Sequence, residues 1–189
     1  SYNYNDYLSF LEINNFLSMI NISVPKIFDT DDTNCIIIME DFGNIRYDKL
    51  INIIDPKDIL IDAINSLIEI QKAQKPTVNK FFKKYDFSYF TVEIAEFADF
   101  YLSKKNIGKD VVDEFFDIWK SEFENLNFNW DSFVHKDFEL SNLMHLSQRD
   151  GHLKCGILDF QNAFIGFSGW DVFSLLENPR IYFDDKDND

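Results

Sequence analysis

Apolar residues recur at helical spacing in several long segments, which predicts a largely helical protein. In residues 7–20 the predicted inner face consists of Leu8, Leu11, Phe16, Met19 and Ile20. The clearest helical pattern covers residues 56–74, where Pro56 suits the first turn of a helix. Further helices are predicted over residues 88–104, 109–125 and 169–177, and the charged tail at 184–189 is predicted to fray.

Short apolar runs predict the strands. Residues 26–28 are predicted to form a short strand and residues 29–34 a polar turn. Residues 35–39 contain three consecutive Ile and predict a buried strand, because a continuous apolar run is typical of a strand covered on both faces. Two more runs, at residues 143–146 and 153–158, flank a turn with an Asp-Gly pair and therefore predict a β-hairpin.

The chain of 189 residues is strongly acidic, with 33 acidic against 18 basic residues and a formal net charge of −15. Such a surface repels a phosphate backbone, so a nucleic acid partner is not expected. The same charge would repel a nucleotide triphosphate, so a protein of this composition that used ATP is expected to need Mg²⁺ at acidic ligands. Most of the acidic residues are interpreted as a solvated surface.

Other bulk features bear on location and redox chemistry. No apolar run approaches the roughly 20 residues of a membrane span, and residues 1–6 lack the basic start and apolar stretch of a secretion signal. No membrane partner is therefore expected, and a cytoplasmic location is the default. Cys35 and Cys155 each stand alone in an apolar run, so both are interpreted as buried core thiols.

One segment carries residues suited to phosphoryl transfer. His135 and Asp137 follow a short apolar run, Asn142 comes five residues after Asp137, and Asp159 follows the second hairpin run. Because a hairpin returns the chain, Asn142 and Asp159 are expected to lie together near its open end. An Asp can orient an acceptor hydroxyl and take its proton, while an Asn and an Asp can hold Mg²⁺ against nucleotide phosphates. The spacing is that of a kinase catalytic loop, and the alternative is a polar turn with unremarkable acids.

Several stretches resemble the aminoglycoside phosphotransferase and choline kinase superfamily. The catalytic ones are residues 134–138 (Val-His-Lys-Asp-Phe), 141–144 (Ser-Asn-Leu-Met) and 156–163 (Gly-Ile-Leu-Asp-Phe-Gln-Asn-Ala). Within this superfamily the chain is most like bacterial cell-wall amino-sugar kinases, which phosphorylate N-acetylmuramate or N-acetylglucosamine at the anomeric hydroxyl. Residues 39–43 resemble the entry to an interlobe hinge, and residues 85–102 resemble a helix typical of that subgroup.

The resemblance implies a role for each residue of the motif. Asp137 would be the catalytic base, and His135 would brace the catalytic loop. Asn142 and Asp159 would bind Mg²⁺. Asp171 would accept hydrogen bonds from the backbone of the loop, the alternative being an exposed acid at a helix N-terminus. At the hinge, the adenine of ATP would meet backbone groups in the stretch Met39, Glu40, Asp41 and Phe42.

The same resemblance implies an α+β, protein-kinase-like fold. Residues 1–43 would be a partial N-terminal lobe, and residues 44–189 would be a mainly helical C-terminal lobe with the catalytic hairpin. Relatives begin with a strand whose Lys pairs with the nucleotide phosphates, and no such strand precedes residue 7 here. The chain is therefore expected to be truncated at both ends.

The implied function is ATP- and Mg²⁺-dependent phosphorylation of a small hydroxylated molecule, with an amino sugar as the expected substrate. One alternative is a non-catalytic remnant or nucleotide-binding module of the family. Another is an aminoglycoside or choline kinase, because an acidic surface attracts a cationic acceptor. The sequence does not identify the acceptor pocket, since core and pocket look alike on the Phe-rich helices, and it does not indicate an oligomeric state.

Overall fold

The computed structural model describes residues 4–73, 81–105 and 107–177, and the predicted tail at 184–189 lies outside them. Within the described residues, six α-helices and six short strands form an α+β arrangement. Short 3₁₀ and π segments connect several of these elements.

The first two strands form a two-stranded antiparallel sheet. β1 (Ile27–Asp31) pairs with β2 (Ile36–Met39), and Asp31 lies opposite Ile36. The strand predicted at 26–28 therefore continues into the residues predicted as a turn. The turn prediction is wrong for residues 29–31, because their backbone groups pair with β2 while their polar side chains remain in solvent.

The strand β2 is mostly exposed, so the prediction that residues 35–39 form a buried strand is wrong. Ile36 and Ile38 are 52% and 56% exposed. β1 and β2 contact mainly each other, so the described residues cover little of this apolar run. Cys35 is half-buried in the turn before β2, at φ +54, so its interpretation as a core thiol is also wrong. Cys155 is fully buried, as predicted.

The inward face of the helix α1 (Tyr4–Met19) overlaps only in part with the predicted one, because Phe16 packs against the core as predicted but the most buried residues are others. Its buried residues are Tyr7, Ile13, Asn14 and Leu17. Met19, predicted to face inward, is 78% exposed. The Asn14 side chain donates a hydrogen bond of 2.9 Å to the Pro25 carbonyl, which allows a polar residue on the buried face.

The helix α3 (Pro56–Lys72) packs against the core, as predicted for residues 56–74. The Asp55 side chain caps it by accepting a hydrogen bond of 2.9 Å from the Lys57 amide. Its buried residues are Ile59, Ala63, Ser66, Leu67 and Ile70. The short helix α2 (Tyr47–Leu50) precedes it and buries Tyr47.

The next two helices form a pair. α4 (Phe87–Phe97) ends earlier than the helix predicted at 88–104, because the chain continues as a π-helical segment at Ala98–Leu102 and a 3₁₀ turn. α5 (Lys109–Asn125) has the predicted bounds. Aromatic rings pack between them as predicted: the centroids of Phe90 and Trp119 lie 5.3 Å apart.

The last part of the described chain carries two further antiparallel pairs. β4 (Leu143–His145) pairs with β5 (Cys155–Ile157), which confirms the predicted hairpin. β3 (Ser132–Val134) pairs with β6 (Phe164–Gly166), and α6 (Trp170–Leu176) follows. The motif segment at residues 135–142 therefore connects β3 to the hairpin.

One cluster of buried apolar residues joins these elements. It includes Ile13, Leu17, Ile59, Leu67, Phe133, Leu143, Ile157 and Leu175. Residues on both sides of position 43 contribute, and the division into residues 1–43 and 44–189 stays a prediction. None of the described helices is long and apolar enough to cross a membrane.

Candidate active site

His135 opens the motif segment and is fully buried. Its Nε2 lies 2.9 Å from the Leu158 carbonyl, to which it donates as a neutral imidazole, and the Phe138 ring meets it edge-on at 5.6 Å. Burial lowers the pKa of His135 to about 4, because an imidazolium would be desolvated there. His135 therefore stays neutral near pH 7 and ties the loop to the end of β5.

Lys136 has a backbone conformation that only the surrounding structure can maintain. Its φ is +83, in the left-handed region that a side chain disfavours. Its amide donates to Asp171 Oδ1 (3.1 Å), and its carbonyl accepts hydrogen bonds from Trp170 Nε1 (3.0 Å) and Ser174 Oγ (3.3 Å). Three residues of α6 thus hold the peptide groups on both sides of this strained position.

Asp171 is the anchor of these contacts. It is 1% exposed and accepts from the His135 amide (2.8 Å) as well as from the Lys136 amide. Burial raises its pKa to about 7, while the two amide donors favour the charged form. Asp171 is therefore not an exposed acid at a helix end, and it binds the loop backbone in the way the resemblance implies.

The Lys136 side chain links the loop to α4. Its Nζ lies 2.8 Å from Glu93 Oε1 and 5.5 Å from the centroid of the Tyr89 ring. The other carboxylate oxygen of Glu93 accepts a hydrogen bond of 2.7 Å from the hydroxyl group of Tyr85, which is a buried residue. Glu93 and Lys136 are 43 residues apart, so no local sequence pattern could indicate their contact.

We expect the Lys136–Glu93 pair to contribute a coupling energy of about 0.5–1 kcal/mol, since the two side chains are only 25% and 34% exposed. A double-mutant cycle of Lys136→Met and Glu93→Gln in urea unfolding measures it. The more exposed pair Lys72–Glu69 provides the matched control and should show a smaller coupling. If the two pairs have equal coupling energies, the Lys136–Glu93 pair stabilises the protein no more than an exposed surface pair does.

Asp137 is half-buried and follows the strained position. Its carbonyl accepts hydrogen bonds from Asn142 Nδ2 and from the Glu139 amide, both at 2.9 Å. Burial raises the pKa of its carboxyl group, and the charge of Asp159 raises it further, whereas Lys136 lowers it. Among the described residues no hydrogen bond occupies the Asp137 carboxylate, so it is available to an incoming hydroxyl.

The hairpin brings Asn142 and Asp159 together. Leu143 pairs with Ile157, and the Leu158 amide donates to the Asn142 carbonyl at 3.0 Å, so the two residues flank the open end of the hairpin. Because Asn142 Nδ2 is held by Asp137, its Oδ1 is the side-chain atom left for a ligand. Asp159 is exposed at φ +61, and its Oδ1 accepts a hydrogen bond of 2.6 Å from Gln161.

These oxygen atoms fit Mg²⁺. The ion prefers oxygen donors and is commonly held by one or two protein groups, with water and substrate phosphates completing its shell. Among the described residues no group of three or more His, Cys, Asp or Glu side chains could hold a metal by itself. The Asn142–Asp159 pair is thus suited to a metal that arrives with phosphates.

The four residues predicted to form the hinge are the last residue of β2 and the three residues that follow it. Met39 is 43% exposed at the end of β2. The Glu40 amide donates to the Lys26 carbonyl (2.8 Å), and its carboxylate pairs with Arg149 (2.6 Å). The Glu40 amide is therefore already occupied by a backbone hydrogen bond.

The hinge continues onto the hairpin. The Asp41 side chain accepts from the Gly43 amide at 2.8 Å, which closes the turn. The Phe42 ring packs against Gly156, where an added Cβ would lie only 2.8 Å from it, and the Arg149 guanidinium lies 5.1 Å from the ring centroid. Glu40 and Phe42 thus both attach the predicted hinge to the hairpin that is flanked by Asn142 and Asp159.

This arrangement, an aspartate with an open carboxylate beside an asparagine–aspartate pair on a hairpin, lies within a protein-kinase-like fold. The ADP-bound aminoglycoside phosphotransferase APH(2'')-Ib has the same fold, with a TM-score of 0.63 at 18% identity over 91% of this chain and 60% of that chain. The chain belongs to the phosphotransferase enzyme family, whose model matches residues 2–188.

Two curated relatives carry the same name, N-acetylmuramate/N-acetylglucosamine kinase. The protein from Caulobacter vibrioides is 26% identical over 194 residues, which cover 91% of this chain and 50% of the relative. The protein from Neisseria meningitidis serogroup B is 26% identical over 187 residues, which cover 94% of this chain and 52% of the relative. The chain thus spans about half the length of these relatives.

Proposed function

We propose that this chain carries the catalytic lobe of an ATP- and Mg²⁺-dependent kinase that phosphorylates a hydroxyl of a small amino sugar, N-acetylmuramate or N-acetylglucosamine. In this proposal residues 1–43 belong to the N-terminal lobe and residues 44–189 to the C-terminal lobe, and the protein works in the cytoplasm. The observation that carries the proposal is the open Asp137 carboxylate beside the hairpin-held pair Asn142 and Asp159.

Each residue has one task in this proposal. Asp137 orients the acceptor hydroxyl and takes its proton as the new bond to phosphorus forms. Asn142 and Asp159 hold Mg²⁺, which neutralises charge on the transferred phosphoryl group when it is bound. Asp171 and His135 keep the loop in the conformation that presents Asp137.

The amino-sugar acceptor is supported by the names of the two curated relatives. The fold does not favour it over an aminoglycoside, because the structural neighbour at 18% identity is an aminoglycoside phosphotransferase. The charge around the site, described in the next subsection, supports the smaller and less basic acceptor.

If Asp159 binds Mg²⁺, its substitution should lower the affinity for ATP only when Mg²⁺ is present. Asp159→Asn is expected to weaken the binding of ATP with Mg²⁺ by roughly tenfold to 100-fold, since losing a direct ligand should cost at least as much as losing a supporting group. Isothermal titration of the whole chain with ATP, with and without Mg²⁺, measures the change. Without Mg²⁺ the variant and the parent chain should bind equally poorly.

Asp150→Asn is the matched control, because Asp150 is an exposed acid in the hairpin turn. It should leave the affinity unchanged. Metal-dependent binding that survives Asp159→Asn would exclude Asp159 as a ligand. No binding of ATP with Mg²⁺ by the parent chain would favour the alternative of a non-catalytic remnant.

A further inference from the structure

A polar cavity of about 330 Å³ lies between the start of α1, the extended segment before α4 and the loop after Asp159. Its polar side chains include Asp6, Lys83, Gln161 and Asn162, and the half-buried Tyr89 also lines it. Apart from the resemblance noted for residues 156–163, none of these positions was a candidate from the sequence.

The cavity borders the catalytic machinery on two sides. Gln161, which lines it, donates a hydrogen bond of 2.6 Å to Asp159. Tyr89, which lines it as well, lies under the ammonium group of Lys136, the residue next to Asp137. A molecule in the cavity would therefore contact Gln161 and Tyr89, which themselves contact Asp159 and Lys136.

The size and lining of the cavity suit one sugar ring. A volume of 330 Å³ is at the small end of the range of about 300–1,000 Å³ for ligand pockets. Aromatic faces can cover the apolar face of a sugar, while amide and charged groups at the rim can pair with its hydroxyls.

The charge of the lining argues against a polycation. Asp6 and Lys83 are the charged residues of the lining and are of opposite sign, so the cavity has no excess of carboxylates to attract several ammonium groups. An aminoglycoside carries several such groups, whereas an N-acetylated amino sugar carries none. The cavity therefore fits a neutral or singly anionic sugar.

Backbone pairing explains why Lys83 lines the cavity and its neighbour does not. The Lys83 carbonyl accepts from the Ile165 amide, and the Tyr85 amide donates to the Ile165 carbonyl, both at 2.8 Å. Successive side chains of such an extended segment point to opposite sides. Lys84 accordingly lies 3.6 Å from Asp131 and does not line the cavity.

We propose that this cavity is the acceptor subsite, that it binds an N-acetylated amino sugar, and that Lys83 pairs with the carboxylate of an N-acetylmuramate-type acceptor. The assignment rests on the proposed function and adds the residues that select the substrate. The class of acceptor follows from the balanced charge, the volume and the position beside Asp159 and Lys136.

The test is a titration of the whole chain with N-acetylmuramate, N-acetylglucosamine and gentamicin, observed by saturation-transfer NMR. Lys83→Gln should weaken N-acetylmuramate binding by about tenfold, the lower end of the effect of a charge-assisted hydrogen bond. N-acetylglucosamine, which lacks the carboxylate, should bind the variant almost as it binds the parent chain. Lys83→Arg should restore most of the lost affinity, and Lys84→Gln is the matched control without effect.

The possible failures can be told apart. If both sugars bind but Lys83→Gln changes neither, the subsite lies elsewhere while the amino-sugar kinase proposal stands. If gentamicin binds and the sugars do not, both the subsite and the amino-sugar acceptor are overturned. Phosphotransfer itself is judged separately, by the titration with ATP and Mg²⁺.

Discussion

Asp137→Asn is expected to lower the rate of phosphoryl transfer from ATP to N-acetylmuramate by about 10²- to 10⁴-fold, the usual contribution of a positioned general base. The Asn side chain has the same shape, but its amide cannot take the proton of the acceptor hydroxyl. ³¹P NMR of reaction mixtures with Mg²⁺ measures the rate. Binding of ATP with Mg²⁺ should be almost unchanged, because the substitution leaves Asn142 and Asp159 in place.

Glu139→Gln is the matched control for charge. Glu139 lies two residues further along the same loop, is half-buried, and its carboxylate accepts a hydrogen bond of 2.8 Å from Ser141. Replacing the Glu139 carboxylate by an amide should leave the rate of phosphoryl transfer near that of the parent chain. If Asp137→Asn keeps the parent rate, or if both variants lose it equally, Asp137 is not the base.

Asp171→Asn is expected to lower the free energy of unfolding by about 2–3 kcal/mol, the cost of a buried donor that loses its acceptor. Both oxygens of Asp171 accept from loop amides, at 2.8 and 3.1 Å. An Asn supplies one acceptor and turns its NH₂ group towards the other amide. Urea unfolding measures the change, and the exposed Asp131→Asn should show little effect.

The pH dependence of stability provides a second readout for Asp171. Burial raises the pKa of Asp171 to about 7, so below this pH the folded state holds a proton that the unfolded state has released. The stability that this bound proton contributes is lost as the pH rises towards 7. The lowered pKa of His135, about 4, acts oppositely: its contribution is present above pH 6.5 and is lost as the pH falls towards 4.

Asp171→Asn removes one of these opposing contributions. The stability of the variant should therefore rise more steeply with pH between about 4 and 6.5 than that of the parent chain. Parallel pH profiles of the two proteins would contradict an elevated pKa for Asp171.

The spacing of residues along the chain was sufficient to predict that Asn142 and Asp159 lie together at the open end of the hairpin. Asn142 and Asp159 flank a hairpin, so their proximity depends only on the pairing of β4 with β5. His135 and Asp137 precede Asn142 by seven and five residues. The predicted helices α3 and α5 are equally local, because a helix forms from contacts within a few residues.

Patterns of burial were less well predicted. The three Ile of residues 36–38 looked like a buried strand, but burial requires other elements against both faces of a sheet, and β1 and β2 contact mainly each other. The inner face of α1 was also misjudged in part, since Asn14 is buried through a hydrogen bond to Pro25 that its residue type does not reveal.

By itself, the sequence determined the hairpin and predicted a class of chemistry, from an aspartate, an asparagine and a second aspartate at the spacing of a kinase loop and hairpin. Only the tertiary structure decided which groups surround them. The contact of Glu93 with Lys136 and the cavity with Lys83 join segments more than 40 residues apart. Such contacts depend on how whole elements pack, and no repeating pattern along the chain records them.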